Sequence, residues 1–327
     1  MGRSVMAAVG HFARELQKRE AAEWRVRPPG RGPGKGRSTL TGLVRCMRPS
    51  QWIKNGFVLA PLVFSSKLMR PHFALREILA CAAFCLTASA IYLWNDALDR
   101  KSDLAHPEKK TRPIPSGQLS AALAVVAGSV LLTMGIGAAL ALGSRTGLLL
   151  AVYAAINILY SLWLKHVGIV DLMLIASGFV LRVVAGSAAI FVDPSHWLLM
   201  CTFLLALFLG IAKRRQELVL LAGDSSRHRR VLDDYSIPWL DQVGTIVSAA
   251  AIVAYALYTV APETQARFKT DRLIYTLPFV IYGMLRYLQL VRDGDRTGNP
   301  TGALLTDEKL LICLAGWIVT CAGIIYH

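Results

Sequence analysis

Residues 78–117 read ILACAAFCLTASAIYLWNDALDRKSDLAHPEKKTRPIPSG: an almost unbroken apolar run as far as Trp94, then three aspartates among lysines and arginines. A helix on a soluble surface carries a polar face beside its apolar one, and this run has none. Its length is that of a bilayer crossing, so the charges begin where a helix would leave the membrane.

The rest of the chain repeats the pattern. Of its 327 residues 54% are hydrophobic and 17% charged, and the apolar residues come in blocks rather than at one-sided helical spacing, as in membrane proteins. A crossing needs roughly 17–25 apolar residues. Nine stretches approach or reach that length: 51–66, 76–97, 119–142, 146–164, 168–192, 196–212, 241–261, 273–292 and 309–326. The first is short and carries Lys54 and Asn55 near its start. The expected fold is all-α, a polytopic membrane bundle of about nine transmembrane helices over residues 41–327. Residues 1–40 form a basic tail, compatible with a short amphipathic surface helix or with a solvated segment, and no signal-peptide pattern opens the chain.

Lysine and arginine bias sets the expected orientation. With the N-terminus inside, about 27 of the 36 basic residues fall on one side, on the tail, the 98–118, 213–240 and 292–309 loops and Lys165. The site would then face the cytoplasm, with the protein in the inner (plasma) membrane. The net charge of +15 suits anionic lipid headgroups, and without a soluble basic surface carrying aromatic platforms no nucleic-acid partner is expected. The six cysteines have no CxxC spacing and read as small core residues. A homo-oligomer is compatible with all of this.

Continued as a helix beyond Trp94, the chain places Asp96, Asp99 and Asp103 at i, i+3 and i+7, along one stripe. Three neighbouring carboxylates repel one another, and a divalent cation relieves that cost. Mg²⁺ takes one or two carboxylates and fills its remaining places with water and phosphate oxygens. The segment HPEKKTRPIPSG then ends the helix at Pro107 and offers His106, Lys109, Lys110 and Arg112 on a proline-stiffened loop. An acidic stripe beside a basic loop is what a metal-bound diphosphate requires.

These residues carry a resemblance. NDALDRKSD fits the NDxxDxxxD signature of the UbiA superfamily of membrane prenyltransferases, with Asn95, Asp96, Asp99 and Asp103 on the defining positions, and the likeness extends over nearly all of 41–327. It implies Mg²⁺ on the aspartates. Members of that superfamily carry a second acidic motif after the sixth span, whereas this chain has KRRQEL there, with Lys213, Arg214, Arg215 and Glu217. Together with RPSQWIKN at 48–55, YSLWLKHVGIVD at 160–171 and GFVLRVVAG at 178–186, this resembles the branch that makes decaprenylphosphoryl-5-phosphoribose, a precursor of cell-wall arabinan. The resemblance implies phosphoribosyl diphosphate (PRPP) as donor and a polyprenyl (decaprenyl) phosphate as acceptor. On that reading Asn95, Asp96, Asp99 and Asp103 hold the metal and diphosphate, and Lys109 and Arg112 take the leaving diphosphate. Tyr160, Lys165, Lys213, Arg214 and Arg215, with Glu217, serve the other phosphates, and Lys54 the acceptor phosphate. Tyr160 and Lys165 also read as interfacial anchors. Arg182, within the fifth span, and Asp171, eleven residues earlier on nearly the same face, are expected to line a cavity rather than to form a structural ion pair. Two rivals remain. An aromatic prenyltransferase of the same superfamily lacks its second acidic motif here, and an anionic-solute transporter would place its charges near the bilayer midplane and show internal repeats.

Overall fold

The computed structural model describes residues 35–65, 67–105, 109–221, 234–292 and 307–326, and every regular element among them is helical. Residues 1–34 of the expected 1–40 tail lie outside these residues, as do His106, residues 222–233 of the expected 213–240 loop and residues 293–306 of the 292–309 loop.

In chain order the helices are α1 (Lys35–Met47), α2 (Ala60–Phe64), α3 (Pro71–Leu98), α4 (Arg100–Ala105), α5 (Ala121–Leu142), α6 (Ser144–Leu162), α7 (Val170–Ala189), α8 (His196–Leu221), α9 (Ile237–Val260), α10 (Pro262–Phe268), α11 (Leu277–Arg292) and α12 (Glu308–Tyr326). Eight of the described helices are long and apolar enough to cross a bilayer, matching the second to ninth expected spans. The first expected span differs: a 3-10 helix over Pro49–Leu59 leads directly into the short α2. At about 2.0 Å per residue for the 3-10 part and about 1.5 Å for the α part, these 16 residues extend about 30 Å. That is the thickness of the hydrocarbon core, so a stretch too short as an α-helix is long enough as this mixture.

The described residues divide into two compact units, one running from 35 to 203 and the other from 204 onward. In the first, α3 is the central helix. It packs most extensively on α5 and also meets α1, α6, α7 and the 3-10 helix, and its flanks bury Ala80, Ala83, Phe84, Ala90 and Leu93. Close approach to α5 depends on small residues: a Cβ on Gly135 would lie 2.4 Å from Thr87 Oγ1, and one on Gly128 2.7 Å from Trp94. At the opposite end of α3 from the aspartates, Arg76 donates to the carbonyls of Ala189 and Leu142, one at the C-terminus of α7 and one at that of α5. A cation there satisfies orphan carbonyls and complements two helix dipoles.

In the second unit α9, α11 and α12 pack together with the 3-10 turn Arg272–Thr276. Asp307 caps α12 by accepting from the Leu310 N–H at 2.8 Å, and also accepts from Arg286 Nη2 at 2.7 Å. The Arg286 guanidinium, with that backbone N–H, holds the Asp307 carboxyl below the usual carboxylate range.

Candidate active site

The helical ladder of α3 does not stop at Leu98. Asp99 N–H donates to the Asn95 carbonyl and Asp103 N–H to the Asp99 carbonyl, each at 2.8 Å, so the register runs on into α4. The i, i+7 pair therefore lands on one face. Asp96 and Asp103 are both buried, and Arg112 Nη1 reaches both, at 3.3 Å from Asp96 Oδ1 and 2.8 Å from Asp103 Oδ2. Asp99 turns to another partner, Lys165 Nζ, at 3.3 Å. Two carboxylates of the stripe thus converge, and the third stands on its edge with 42% of its side chain exposed.

Arg112 is aimed by the residues that follow it. Pro113, Ile114 and Pro115 are buried, and Ile114 enters an apolar cluster with Cys46 of α1, Leu93 of α3, Ala124 of α5 and Leu119 just before α5. The turn closes through Ser116 N–H to the Arg112 carbonyl (2.9 Å) and Gly117 N–H to the Ile114 carbonyl (3.2 Å), with Gly117 at φ 79°. Left-handed backbone of this kind costs glycine little, which is why one ends the PIPSG segment. Burial pushes the Cys46 thiol up to about 12, with the nearby Asp96 charge adding to the effect, so it sits in this cluster as a neutral packing group.

A second arginine closes on the same carboxylate. Arg48 Nη2 donates to Asp96 Oδ1 at 2.6 Å, and its guanidinium lies 4.8 Å from the centre of the Tyr92 ring. Its backbone is left-handed, φ 53° and ψ 62°, between the end of α1 and Pro49. Lys165 is placed by the connection between α6 and α7, a 3-10 turn over Leu164–His166 followed by Ile169 at φ 64°. Non-glycine residues rarely adopt positive φ, and two of them flank this site.

Deeper in the same unit, Arg182 is buried and held by neutral groups. Nε donates to Asn55 Oδ1, Nη1 to the Gly178 carbonyl and Nη2 to the Tyr153 hydroxyl, all at 2.8 Å, while the rings of Tyr153 and Phe179 lie within 5.1 Å. Arg182 therefore ties α7 to α6 and to the 3-10 helix. Asp171 is fully buried in the first turn of α7. Asn95, Lys109, Tyr160 and Lys54 are half-buried: Asn95 in the last turn of α3, Lys109 on the turn before Arg112, Tyr160 near the end of α6 and Lys54 on the 3-10 helix.

In the second unit the expected basic cluster falls on α8. Arg214 is buried and pairs with Glu217 at 2.5 Å; Lys213 is 58% exposed, 3.9 Å from the same carboxylate. Arg215 donates to Asp241 Oδ1 of α9 at 2.7 Å and to the Val291 carbonyl of α11 at 2.6 Å. Its guanidinium is spent on joining three helices.

The carboxylates fit a magnesium ion of the kind expected. One cationic nitrogen already sits between Asp96 and Asp103, and a hard divalent cation there would meet two protein oxygens and leave its other positions to water and phosphate. Among the described residues no three His, Cys, Asp or Glu side chains converge. Arg48, Asn55 and Tyr153 were not singled out from sequence. Arg48 and Asn55 bound the RPSQWIKN segment, and a basic residue before a proline at a membrane entry was the available signal; nothing marks Tyr153.

Residues 58–303 match the UbiA prenyltransferase family. The chain is 33% identical over 309 residues to a decaprenyl-phosphate phosphoribosyltransferase of Mycolicibacterium smegmatis, covering 91% of this chain and 96% of that protein. It is 32% identical over 293 residues to the Corynebacterium glutamicum protein of the same name, covering 87% of each. Among solved structures, a UbiA homologue from Archaeoglobus fulgidus bound to GPP and Mg²⁺ superposes with a TM-score of 0.65 at 18% identity, covering 88% of this chain and all of that one.

Proposed function

The chain belongs to the UbiA prenyltransferase family, and from that premise we propose that it transfers the 5-phosphoribosyl group of PRPP to a polyprenyl phosphate, releasing diphosphate. The similarity to two decaprenyl-phosphate phosphoribosyltransferases along most of the chain supports the choice of donor and acceptor. The observation that carries the chemistry is the convergence of Asp96 and Asp103 on Arg112, with Arg48 also on Asp96 and Lys165 on the neighbouring Asp99.

Asp96 and Asp103 would hold Mg²⁺, whose contribution when bound is to neutralise charge on the departing diphosphate. The chain's own residues do the rest. Arg112, fixed by the buried Pro113–Pro115 segment, offers several N–H donors to the diphosphate oxygens, and Lys109 stands on the same turn. An acceptor phosphate oxygen forms the new bond to C1 of the ribose as the bond from C1 to the diphosphate oxygen breaks, and the electron pair leaves with diphosphate. The acceptor is already an anion, so no base is required. The apolar spans keep the polyprenyl tail in lipid and limit the water that reaches C1. The basic stretch KRRQEL, where the superfamily resemblance expects an acidic motif, supports a donor carrying a further phosphate. We place the protein in the plasma membrane with Asp96 on the cytoplasmic side, where the basic residues concentrate.

The test supplies purified protein with ribose-labelled PRPP, polyprenyl phosphate and Mg²⁺. Label recovered in the organic phase, with release of diphosphate, is the expected result. Label that stays aqueous, while an isoprenyl diphosphate is consumed against an aromatic acceptor, would replace this reading with an aromatic prenyltransferase.

A further inference from the structure

Asp96 Oδ1 is contested. It accepts from Arg48 at 2.6 Å and from Arg112 at 3.3 Å, and it is also one of the two carboxylates that fit the metal. A carboxylate oxygen has few lone pairs to share, so the metal and these guanidinium groups compete for it. The charge balance sharpens the competition. Within the observed pairs, Asp96, Asp99 and Asp103 face Arg48, Arg112 and Lys165, three carboxylates against three cations. Adding a bare divalent cation to a balanced and largely buried group is electrostatically unfavourable. Adding it together with a diphosphate is not, because the anion both balances the metal and accepts the displaced arginines.

Arg48 is built for such an exchange. Its backbone sits in left-handed geometry directly before Pro49, a place where an arginine is strained and a glycine is not. Strain retained at one residue points to a side chain that is needed there. Its side chain is 32% exposed while that of Asp96 is 5% exposed, so the guanidinium reaches solvent and the carboxylate behind it does not. The Tyr92 ring face supplies a second resting contact that survives loss of the carboxylate.

We propose that Arg48 and Arg112 are exchangeable counter-cations: Asp96 yields to a divalent metal only when a diphosphate takes the guanidinium groups, so metal and donor load as one unit rather than metal first. This rests on the reading that Asp96 and Asp103 hold the metal. Arg48 is on this account a positioning residue that sets the order of loading.

The experiment uses the full chain in detergent, stripped of divalent ions, and titrates Mn²⁺ as a spectroscopic stand-in for Mg²⁺, counting free Mn²⁺ by electron paramagnetic resonance without diphosphate present. Wild-type protein should bind Mn²⁺ weakly. Arg48→Gly, which suits the left-handed backbone, and Arg112→Gln should each tighten binding at least tenfold. Adding Asp96→Asn to either should abolish the gain. Lys101→Gln removes the same charge from α4, where Lys101 is exposed, and should shift binding less than threefold. Melting curves establish that each variant is folded, and because the expected change is a gain of affinity, a partly unfolded variant cannot imitate it. Tight Mn²⁺ binding by the wild type that Arg48→Gly leaves unchanged, or an equal gain from Lys101→Gln, overturns the exchange while the metal site stands. Mn²⁺ binding indifferent to Asp96→Asn in every background overturns the metal reading itself, and the exchange with it.

Discussion

Arg112 and Arg182 belong to the same compact unit, yet the company they keep is opposite. Arg112 stands at the end of a membrane helix between two carboxylates, and Arg182 lies within a span among an amide, a carbonyl, a phenol and two aromatic rings. A guanidinium balanced by carboxylates can hand them to a metal and turn to phosphate, because each partner finds another ion. A guanidinium satisfied by neutral groups has nothing to exchange, and removing it leaves buried donors and acceptors unpaired. On the function proposed above, basic side chains in one fold divide into working and structural ones according to what they touch.

The sharpest way to break that division is Asp96→Asn. It keeps the side chain's shape and removes the charge, so turnover should fall by about 10²–10³-fold, the scale of losing a group that stabilises developing charge. The protein should stay folded, which melting curves check, although Arg48 and Arg112 lose a buried partner. Asp103→Asn should behave similarly, since Arg112 binds both carboxylates, while Asp99→Asn, paired at the edge with Lys165, should lose less. Initial rates with labelled PRPP check the series, and Asp99→Asn costing more than Asp96→Asn would reverse the assignment.

For Arg182→Gln the effect should appear first in stability. Its loss strands Asn55 and Tyr153, at about 1.5–3 kcal/mol for each hydrogen bond to a charged group. Tyr153→Phe removes only one of those bonds and should cost about 1.5–3 kcal/mol in all. Thermal unfolding in detergent reads both. An Arg182→Gln protein that melts like wild type but no longer binds PRPP would return this arginine to the working class.

Much of the fold was legible in the sequence, because apolar blocks of bilayer length leave helices few alternatives. The acidic stripe was legible too, since its spacing fixes a face once the helix runs on through Asp99. What could not be read was the pairing. Whether Arg182 met Asp171 or Asn55 depends on how α7 packs against the 3-10 helix, and nothing local specifies that helix; residues 51–66 looked like a short span. Arg48 was hidden for a related reason. Its importance lies in a backbone conformation and in a partner 48 residues away, and the one local signal, a basic residue directly before a proline, specifies neither. In the second loop, Lys213, Arg214 and Arg215 read alike as consecutive basic residues, and only the positions of Asp241 and Val291 separate them.

Asp307 tests the structural side of the comparison through pH. Its carboxyl lies below the usual range because of Arg286, so the pair stabilises the fold above the ordinary carboxylate pKa and is lost as pH falls through the lowered one. Asp307→Ala also removes the cap on α12 and should cost about 0.5–2 kcal/mol at neutral pH. Asp307→Asn retains a capping oxygen and should lose mainly the acid-dependent part. Melting temperatures from neutral to acid pH distinguish the two, and identical pH profiles for wild type and Asp307→Asn would exclude the pair as the source.

The smallest effect separates Lys213 from Arg215, where the second unit repeats the contrast of the first. Arg215 is a strut, held by a carboxylate of one helix and a carbonyl of another, so Arg215→Gln should lower the melting temperature whether or not PRPP is present. Lys213 is 58% exposed and lies 3.9 Å from Glu217, an i, i+4 pair worth about 0.3–0.5 kcal/mol. Lys213→Gln should therefore melt within a degree or so of wild type, while PRPP binding weakens by about tenfold if the ammonium meets a phosphate of the donor. Competition of PRPP against labelled diphosphate reads the second quantity independently of the first. A Lys213→Gln protein that binds PRPP like wild type would confine anion recognition to the aspartate end of α3 and its arginines. The basic stretch on α8 would then do no more than hold its own helices and meet lipid headgroups.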